Sequence, residues 1–564
     1  MALLYPNNYS LAVSNLGFQL VYSLMNSQPG IVCERIVYPD ETGQPLRSLE
    51  SNRPLTDFAV VCVSVSFEHD FPRLAGMLAA GGVPPMADRR SSEIGPGDPL
   101  VIMGGVGIFM NPEPVAPFAD LMVIGEAEGV LPRLFSLILP AREKAVDRET
   151  LLYQCTAIKG CYVPSLYTPI HGDDGRVLSI EAANGIPERV QRVTQETTGC
   201  AAHSMQLSPE AELGMYMIEL GRGCSRGCRF CAAGFIYRPP RLWSKEAILS
   251  AFNERPPRVR RIGLLGMEMA SADTLDHIAS ALQEQQCALS FSSLRADRIS
   301  PQLVALLAQS ALKSVAIAPD GASEPLRRII NKGLSEADLL AAASALVAAG
   351  IVHLKLYVMI GLPTETMADF DELAQMLVRM RALILPLARK QGRMVEITLS
   401  VNSFVPKPWT PFQFLSFGGL PAFAAGATHS STPALLALKQ KIRYLRKLVK
   451  GLPNVRLKID RPERVLEQAV FSRGDRRLAP VLLAMGTGRF SFKQAMKVHG
   501  LTSWEYAVRP RGSDELMCWQ VLDHGIRDGY LHRELERAFR QQSTPACDIR
   551  RCRRCGVCHD APAE

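Results

Sequence analysis

Three cysteines, Cys224, Cys228 and Cys231, fall within eight residues of the stretch GRGCSRGCRFCAAG, 221–234. Directly before them runs MYMIELG, an apolar segment of β character. A chain that ends a strand in such a loop must fold so that the strand's end opens onto a space where three thiols meet. The C-x3-C-x2-C spacing suits three corners of a cubane iron–sulfur cluster. The outer two cysteines are seven residues apart, up to about 24 Å of extended chain, which is ample to curl round a small cluster. Gly221, Gly223, Gly227 and Gly234 give the backbone the freedom for close turns. Three thiolates leave one iron open to chelation by a small molecule. Zinc would want a fourth nearby ligand, and the later cysteines are remote in sequence.

The flanking sequence says where such a loop sits. After MYMIELG come RRIGLLG, ALSFSSL, SVAIAP, VHLKLYVMIG and VEITLSVNSF, mostly with helical runs between them. Six strands of this kind describe a partial or full βα-barrel over 211–415, with active residues where strands end and loops begin. Residues 1–150 alternate in the same way. FAVVCVSVSF (58–67) and PLVIMGGVG (99–107) are near-continuous apolar strands, which predicts a small doubly wound domain around a parallel sheet. Residues 151–210 read as a connector with short strands, including a hairpin-like turn at HGDDGRV, 171–177. Residues 416–545 read as mainly helical, and 546–564 as a cysteine-rich metal-binding tail. The predicted fold class is α/β.

Composition sets the remaining bounds. The 63 basic and 55 acidic residues leave a net charge of +8 over 564 residues, a weak excess that permits a nucleic-acid partner without arguing for one. No basic segment leads into an apolar core at the N-terminus. The most apolar long run, 339–354, is too short for a membrane span and is broken by Ser344, Gly350 and His353. The expected location is cytoplasmic, where clustered cysteines read as metal ligands before disulfides. Seven of the 14 cysteines are scattered; most of these read as small buried hydrophobes, with a metal pairing of Cys155 and Cys161 as the alternative for those two. The tail groups Cys547, Cys552, Cys555 and Cys558 at spacings x4, x2, x2. Its last three repeat the C-x2-C-x2-C of bacterial ferredoxins, and four thiolates equally suit a closed zinc site. Arg550, Arg551, Arg553 and Arg554 either offset thiolate charge or form a basic patch for a phosphate backbone.

The cysteine spacing resembles that of the radical S-adenosylmethionine (SAM) superfamily, in which SAM occupies the fourth iron of a [4Fe-4S] cluster. Phe230 matches the aromatic usual before the third cysteine. Gly266-Met267-Glu268 stands where the superfamily carries a Gly-Gly-Glu-like turn for the amino group of SAM, so the resemblance makes Glu268 its ligand, with the second glycine replaced. Ser293 and Arg295 are polar candidates at the third strand's end; the arginine either forks onto SAM's carboxylate or pairs with Asp297. By the same resemblance Asp320 holds the ribose, and Gly361 and Pro363 shape the loop beside the adenine. VIMGGVGIFMNPEPV and VIGEAEGVL resemble the end of the cobalamin-binding domain that precedes the barrel in many such enzymes. There Gly104 and Gly105 would admit the corrin tail, and Gly125-Glu126-Ala127-Glu128 matches a Gly-Glu-x-Glu turn. No Asp-x-His-x-x-Gly motif is present, so no histidine is offered to cobalt. The resemblance implies an enzyme that draws one electron from a donor such as flavodoxin or ferredoxin, cleaves SAM to a 5′-deoxyadenosyl radical, and modifies an unnamed substrate. Cobalamin would add methyl transfer. Two further readings stand beside it: a methylthiotransferase-like RNA or protein modification using an auxiliary tail cluster, and a non-catalytic metal-dependent RNA-binding or scaffold protein.

Overall fold

The near-continuous apolar runs of the first third of the chain pair side by side. In the computed structural model, which describes residues 1–41, 43–266, 271–291, 293–421 and 429–558, β1 (Ala2–Tyr5), β2 (Glu34–Val37), β3 (Val60–Ser64), β4 (Leu100–Gly104) and β5 (Leu121–Val123) form a parallel sheet. The order is β2-β1-β3-β4-β5, closed by the antiparallel edge strand β6 (Cys161–Tyr162). The sheet therefore runs past residue 150, the boundary read from sequence. Helices Leu16–Asn26, Asp70–Ala80 and Leu131–Glu143 accompany it, and burial on both faces is why its strands read as unbroken apolar runs. The order reverses between β1 and β3, so a crevice opens there beyond the strands' carboxyl ends.

The second sheet system begins at β7 (Tyr216–Glu219) and continues through β8 (Arg261–Leu265) and β9 (Ala288–Phe291), all parallel. A parallel bridge between Leu294 and Ile317 carries it to β10 (Ser314–Asp320), β11 (His353–Ile360) and β12 (Glu396–Ser403). The connecting helices start where short polar side chains can satisfy free amides. Ser244, Ser271, Ser300 and Ser335 each accept a hydrogen bond from the amide three residues on. Because the strands are parallel, their carboxyl ends gather on one side, as in a βα-barrel.

A further parallel strand, β13 (Val455–Ile459), pairs with β12. It lies in the region read as mainly helical, whose other elements include helices Thr432–Lys450, Pro462–Arg473, Ala479–Gly486 and Tyr530–Phe539. In the 151–210 segment, Tyr167–His171 and Val177–Ala182 pair antiparallel. The end of the barrel and the C-terminal region pack back on the first domain just after β4: Trp409 Nε1 donates to Met110 O at 3.0 Å, and Asn111 Nδ2 donates to Ser472 O and Gly474 O at 3.1 and 2.9 Å. Among the described residues no helix is long and apolar enough to cross a membrane.

Candidate cofactor-binding site

β7 leads into a two-residue pairing of Gly221–Arg222 with Arg241–Leu242. Between those anchors the chain makes the cysteine loop and a short helix, Ala233–Ile236. Cys231 N donates to Cys228 O at 3.1 Å and Gly234 N to Cys231 O at 3.1 Å, so the loop is wound by its own backbone. Cys224, Cys228 and Cys231 are all half-buried. Burial pushes the Cys231 thiol up to about 11, with Cys228 and Cys224 adding to the rise. Burial also raises Cys228, against the charge of Lys332. Among the described residues no three His, Cys, Asp or Glu side chains are arranged to hold a single metal ion. The loop offers sulfur alone, the soft donor set of iron–sulfur clusters, and a cubane takes its ligands on separate iron corners. The three thiols fit that group, provided their protons leave as it binds.

A charged group lies beside Cys228. Asp320, at the end of β10 with φ 61°, accepts from Lys332 Nζ at 2.5 Å. Burial pushes the Asp320 carboxyl up, and Lys332 works against it. Arg295 Nε and Nη2 donate to Asp297 at 2.8 and 3.2 Å, and Nη2 also to Lys332 O at 2.6 Å. The Asp297 pairing is one of the two roles expected of this arginine. Lys332 was not singled out in the sequence; a lysine in a loop carries no signal until the strand end it faces is known. Ser293 is exposed beyond β9, and Phe230 is half-buried against the main core. Gly361 has φ 79°, and a Cβ there would lie 2.8 Å from Leu438 and 3.3 Å from the Gly418 backbone. Packing against the C-terminal region thus requires that glycine. Glu268 lies outside the described residues.

On the first sheet's side, a cavity of about 470 Å³ opens at the carboxyl ends of β1, β3, β4 and β5, and Glu219, Arg222 and Tyr237 close it from the barrel side. Its position is the switch point where open α/β sheets bind ligands. No histidine is among its lining residues. Gly104 faces it freely: a Cβ would come no nearer than 3.8 Å to any neighbour. Gly105 and Gly125 are glycines for another reason, since a Cβ would strike Val65 O at 2.4 Å and Val193 O at 2.1 Å. Glu126 borders the cavity, yet its carboxylate takes Arg241 at 2.6 and 2.8 Å and Arg222 at 3.1 Å. Burial works to raise Glu126, but Arg241 and Arg222 outweigh it and hold the carboxyl below its ordinary range. Arg222 also meets Glu128 at 2.7 Å and Glu219 at 3.1 Å. The Gly-Glu-x-Glu turn is thus an ionic joint between the first domain and the residue two before Cys224.

With this geometry in view, two family descriptions match the chain: "Radical SAM proteins, N-terminal" over residues 17–164 and "Radical SAM superfamily" over 218–377. Together they take in more than half of it. The chain belongs to the radical SAM superfamily. It is an enzyme of that superfamily, and membership implies a [4Fe-4S] cluster and SAM. It is 25% identical to the uncharacterised protein MJ0966 of Methanocaldococcus jannaschii, over 86% of this chain and 90% of that one. Its fold is similar to that of the radical SAM methyltransferase TsrM from Kitasatospora setae, solved with cobalamin and a [4Fe-4S] cluster bound. The TM-score is 0.51 at 13% identity, covering 88% of this chain and 98% of that one. The same methyltransferase with tryptophan substrate and a SAM analogue bound matches at 0.51 and 12% identity, with the same coverage.

The tail reaches the radical SAM loop directly. Cys547 N donates to Ser225 O at 2.7 Å. Asn331 Nδ2 donates both to Gly227 O at 3.1 Å and to Thr544 O at 3.0 Å. Arg229, fully buried between the second and third loop cysteines, donates to Ile329 O at 2.9 Å and Gln542 O at 2.6 Å, and pairs with Glu534 at 3.4 Å. Cys555 packs in a small core with Phe235, Tyr530 and Leu531. The four tail thiols lie within electrostatic reach of one another. Burial acts to raise the Cys552 thiol, and Arg554 outweighs it, favouring the thiolate.

Proposed function

We propose that this radical SAM enzyme transfers a methyl group to a carbon of an as yet unidentified substrate, with cobalamin held in the 470 Å³ cavity and SAM beside the cysteine loop. One observation carries the reading: the cavity at the sheet's switch point and the cysteine loop share a wall, built on Arg222. When bound, the cluster and SAM supply one-electron reductive chemistry and cobalamin a transferable methyl group. The chain's own residues do the rest. Cys224, Cys228 and Cys231 would ligate three irons. Asp320, held by Lys332, is a half-buried carboxylate that would suit a ribose diol, and Lys332 would offer a cation to SAM's carboxylate. Gly104 leaves the cavity wall open to a broad ring, and Glu126, Arg222 and Arg241 fix the two domains so that the two cofactor spaces keep their separation.

The test is anaerobic reconstitution with iron, sulfide and hydroxocobalamin, then gel filtration. Retained corrin absorbance is the expected result. Gly104→Trp should lose the corrin while keeping its iron. Wild-type protein that keeps its iron but shows no corrin absorbance would remove methyl transfer and leave a radical SAM enzyme of other chemistry.

The tail supports a second cofactor assignment. Its ferredoxin-like spacing favours a second iron–sulfur cluster over zinc. Fully loaded protein should then contain about eight irons per chain, at four per cubane. About four irons with one zinc would reverse the assignment.

A further inference from the structure

The net charge of +8 is not spread along the chain. Residues 432–464 hold ten of the 63 basic residues and two of the 55 acidic ones, so this one segment carries the whole excess and the rest of the chain balances at 53 of each. The segment forms helix Thr432–Lys450, β13 and the start of helix Pro462–Arg473. It belongs to neither cofactor space.

On helix Thr432–Lys450 the basic residues follow a stripe. Lys439, Arg443, Arg446 and Lys450 stand at i, i+4, i+7 and i+11, along one face of the helix over about 16 Å. Arg443, Arg446 and Lys450 are exposed, while Ala434, Leu438, Ile442, Leu445 and Val449 are buried in the core. A cavity of about 400 Å³ opens beside the stripe, between Lys439, Arg443 and Arg446 on the helix and Ile459, Asp460 and Arg461 at the end of β13. β13 is the edge strand of its sheet and runs parallel to β12, so the cavity stands at the rim of the barrel face where the strand ends gather.

Four cations thus line a cavity with one carboxylate, Asp460. Lys439 is held by Glu463 at 2.5 Å, and Arg443 Nε donates to Lys439 O at 3.3 Å. Among the described residues no carboxylate lies within ion-pair distance of Arg443, Arg446 or Arg461. The same segment pairs its cations where carboxylates are at hand: Lys441 takes Glu365 at 2.8 Å and Arg456 takes Glu396 at 2.9 Å. Lys450, in the last turn, answers the helix dipole. Arg443, Arg446 and Arg461 have no such use, and like charges one helical turn apart repel. A polyanion would offset that repulsion. Planar guanidiniums fork onto phosphate oxygens, and a phosphate backbone releases counterions as cations meet it. A lipid surface would take an apolar helix face beside the cations, and here the apolar face is turned to the core.

We propose that Arg443, Arg446 and Arg461, with the stripe that continues to Lys450, form a docking surface for the phosphate backbone of a nucleic acid. The surface is independent of the methyl-transfer reading.

The test is fluorescence anisotropy of the full-length reconstituted protein under argon, with a labelled single-stranded RNA of about 16 nucleotides, titrated at several salt concentrations. The expected result is saturable binding whose log affinity falls linearly with log salt. The triple variant Arg443→Gln, Arg446→Gln, Arg461→Gln should weaken binding at least tenfold near about 0.1 M salt and flatten the slope by about 2, at about 0.7 per lost phosphate contact. All three side chains are exposed, so this variant should melt as the wild type does. A second triple variant, Arg133→Gln, Lys144→Gln, Arg189→Gln, removes three exposed cations elsewhere and should bind as the wild type does. DNA of the same sequence forms a parallel arm: weaker binding assigns RNA read through its 2′-hydroxyls, and equal binding a surface that reads the backbone alone. No binding, equal losses in the two triple variants, or polyglutamate that binds as tightly as the RNA would overturn the proposal.

Discussion

The loop at 224–231 and the tail at 547–558 both concentrate cysteine, yet they are held in opposite ways. The loop is woven into the middle of the molecule. Its entry is paired to Arg241–Leu242, Arg222 just before it is locked to the first domain, and Arg229 within it is completely buried. The tail has little secondary structure of its own and is pinned at a few points: Cys547 to Ser225, Thr544 to Asn331, and Cys555 in a four-residue core. The loop is thus held by contacts on both of its flanks, whereas the tail takes its order from the loop and the residues beside it. Similar sulfur spacing does not mean similar preorganisation.

The largest effect that tests this contrast comes from the loop. Cys228→Ala should abolish 5′-deoxyadenosine formation and remove the loop's iron while the protein still melts cooperatively. Undiminished SAM cleavage would refute the assignment of the cluster. Next comes the pin between the two regions. Arg229→Met leaves Glu534 to Thr544 and Arg537 and frees Gln542 and Ile329, at a cost below the about 3–5 kcal/mol of stranding a buried charge. Limited proteolysis should then cut the tail first, with cleavage after residue 540 outpacing any cut in the barrel. A tail that stays protected would show that it stands without the loop.

A smaller effect is expected from Cys552→Ser, which should halve the iron from about eight to about four per chain and leave the melting of the barrel in place. Iron that falls to zero would mean that the loop depends on the tail, the reverse of the order argued above. The smallest is on the loop's other flank. Glu126→Gln should cost about 1.5–3 kcal/mol by weakening charge-assisted hydrogen bonds. Because the Glu126 carboxyl is held below its ordinary range, that stabilisation is present above the usual glutamate range and is lost as pH falls through the folded value. The melting difference between wild type and variant should therefore close on acidification, and a difference that is constant with pH would assign the loss to packing.

The loop and the barrel strands were legible because their signals are local. Three thiols at fixed spacing follow an apolar strand, and apolar strand-like runs alternate with helical ones. The joint at Gly125-Glu126-Ala127-Glu128 was not legible. The motif suggests a cofactor turn, but what occupies Glu126 is decided by Arg222 and Arg241, which lie 96 and 115 residues away. β13 escaped for a different reason. In VRLKI the outward arginine and lysine alternate with half-buried apolar residues, and five such residues amid basic helices carry too little periodicity to stand out. Lys332 and Asn331 belong to a loop whose meaning depends on the tail it meets.

The Arg229–Gln542 contact spans 313 residues of chain. At about 5–20 residues per second of synthesis, the loop leaves the ribosome on the order of 15–60 s before the backbone that completes its surroundings exists. For most of that interval Arg229 has the Arg328 and Ile329 carbonyls to bind and lacks Gln542 and Glu534. The tail can thus take its place only on a loop that has long since emerged, and a prematurely terminated chain would carry the catalytic motif without the segment that covers it.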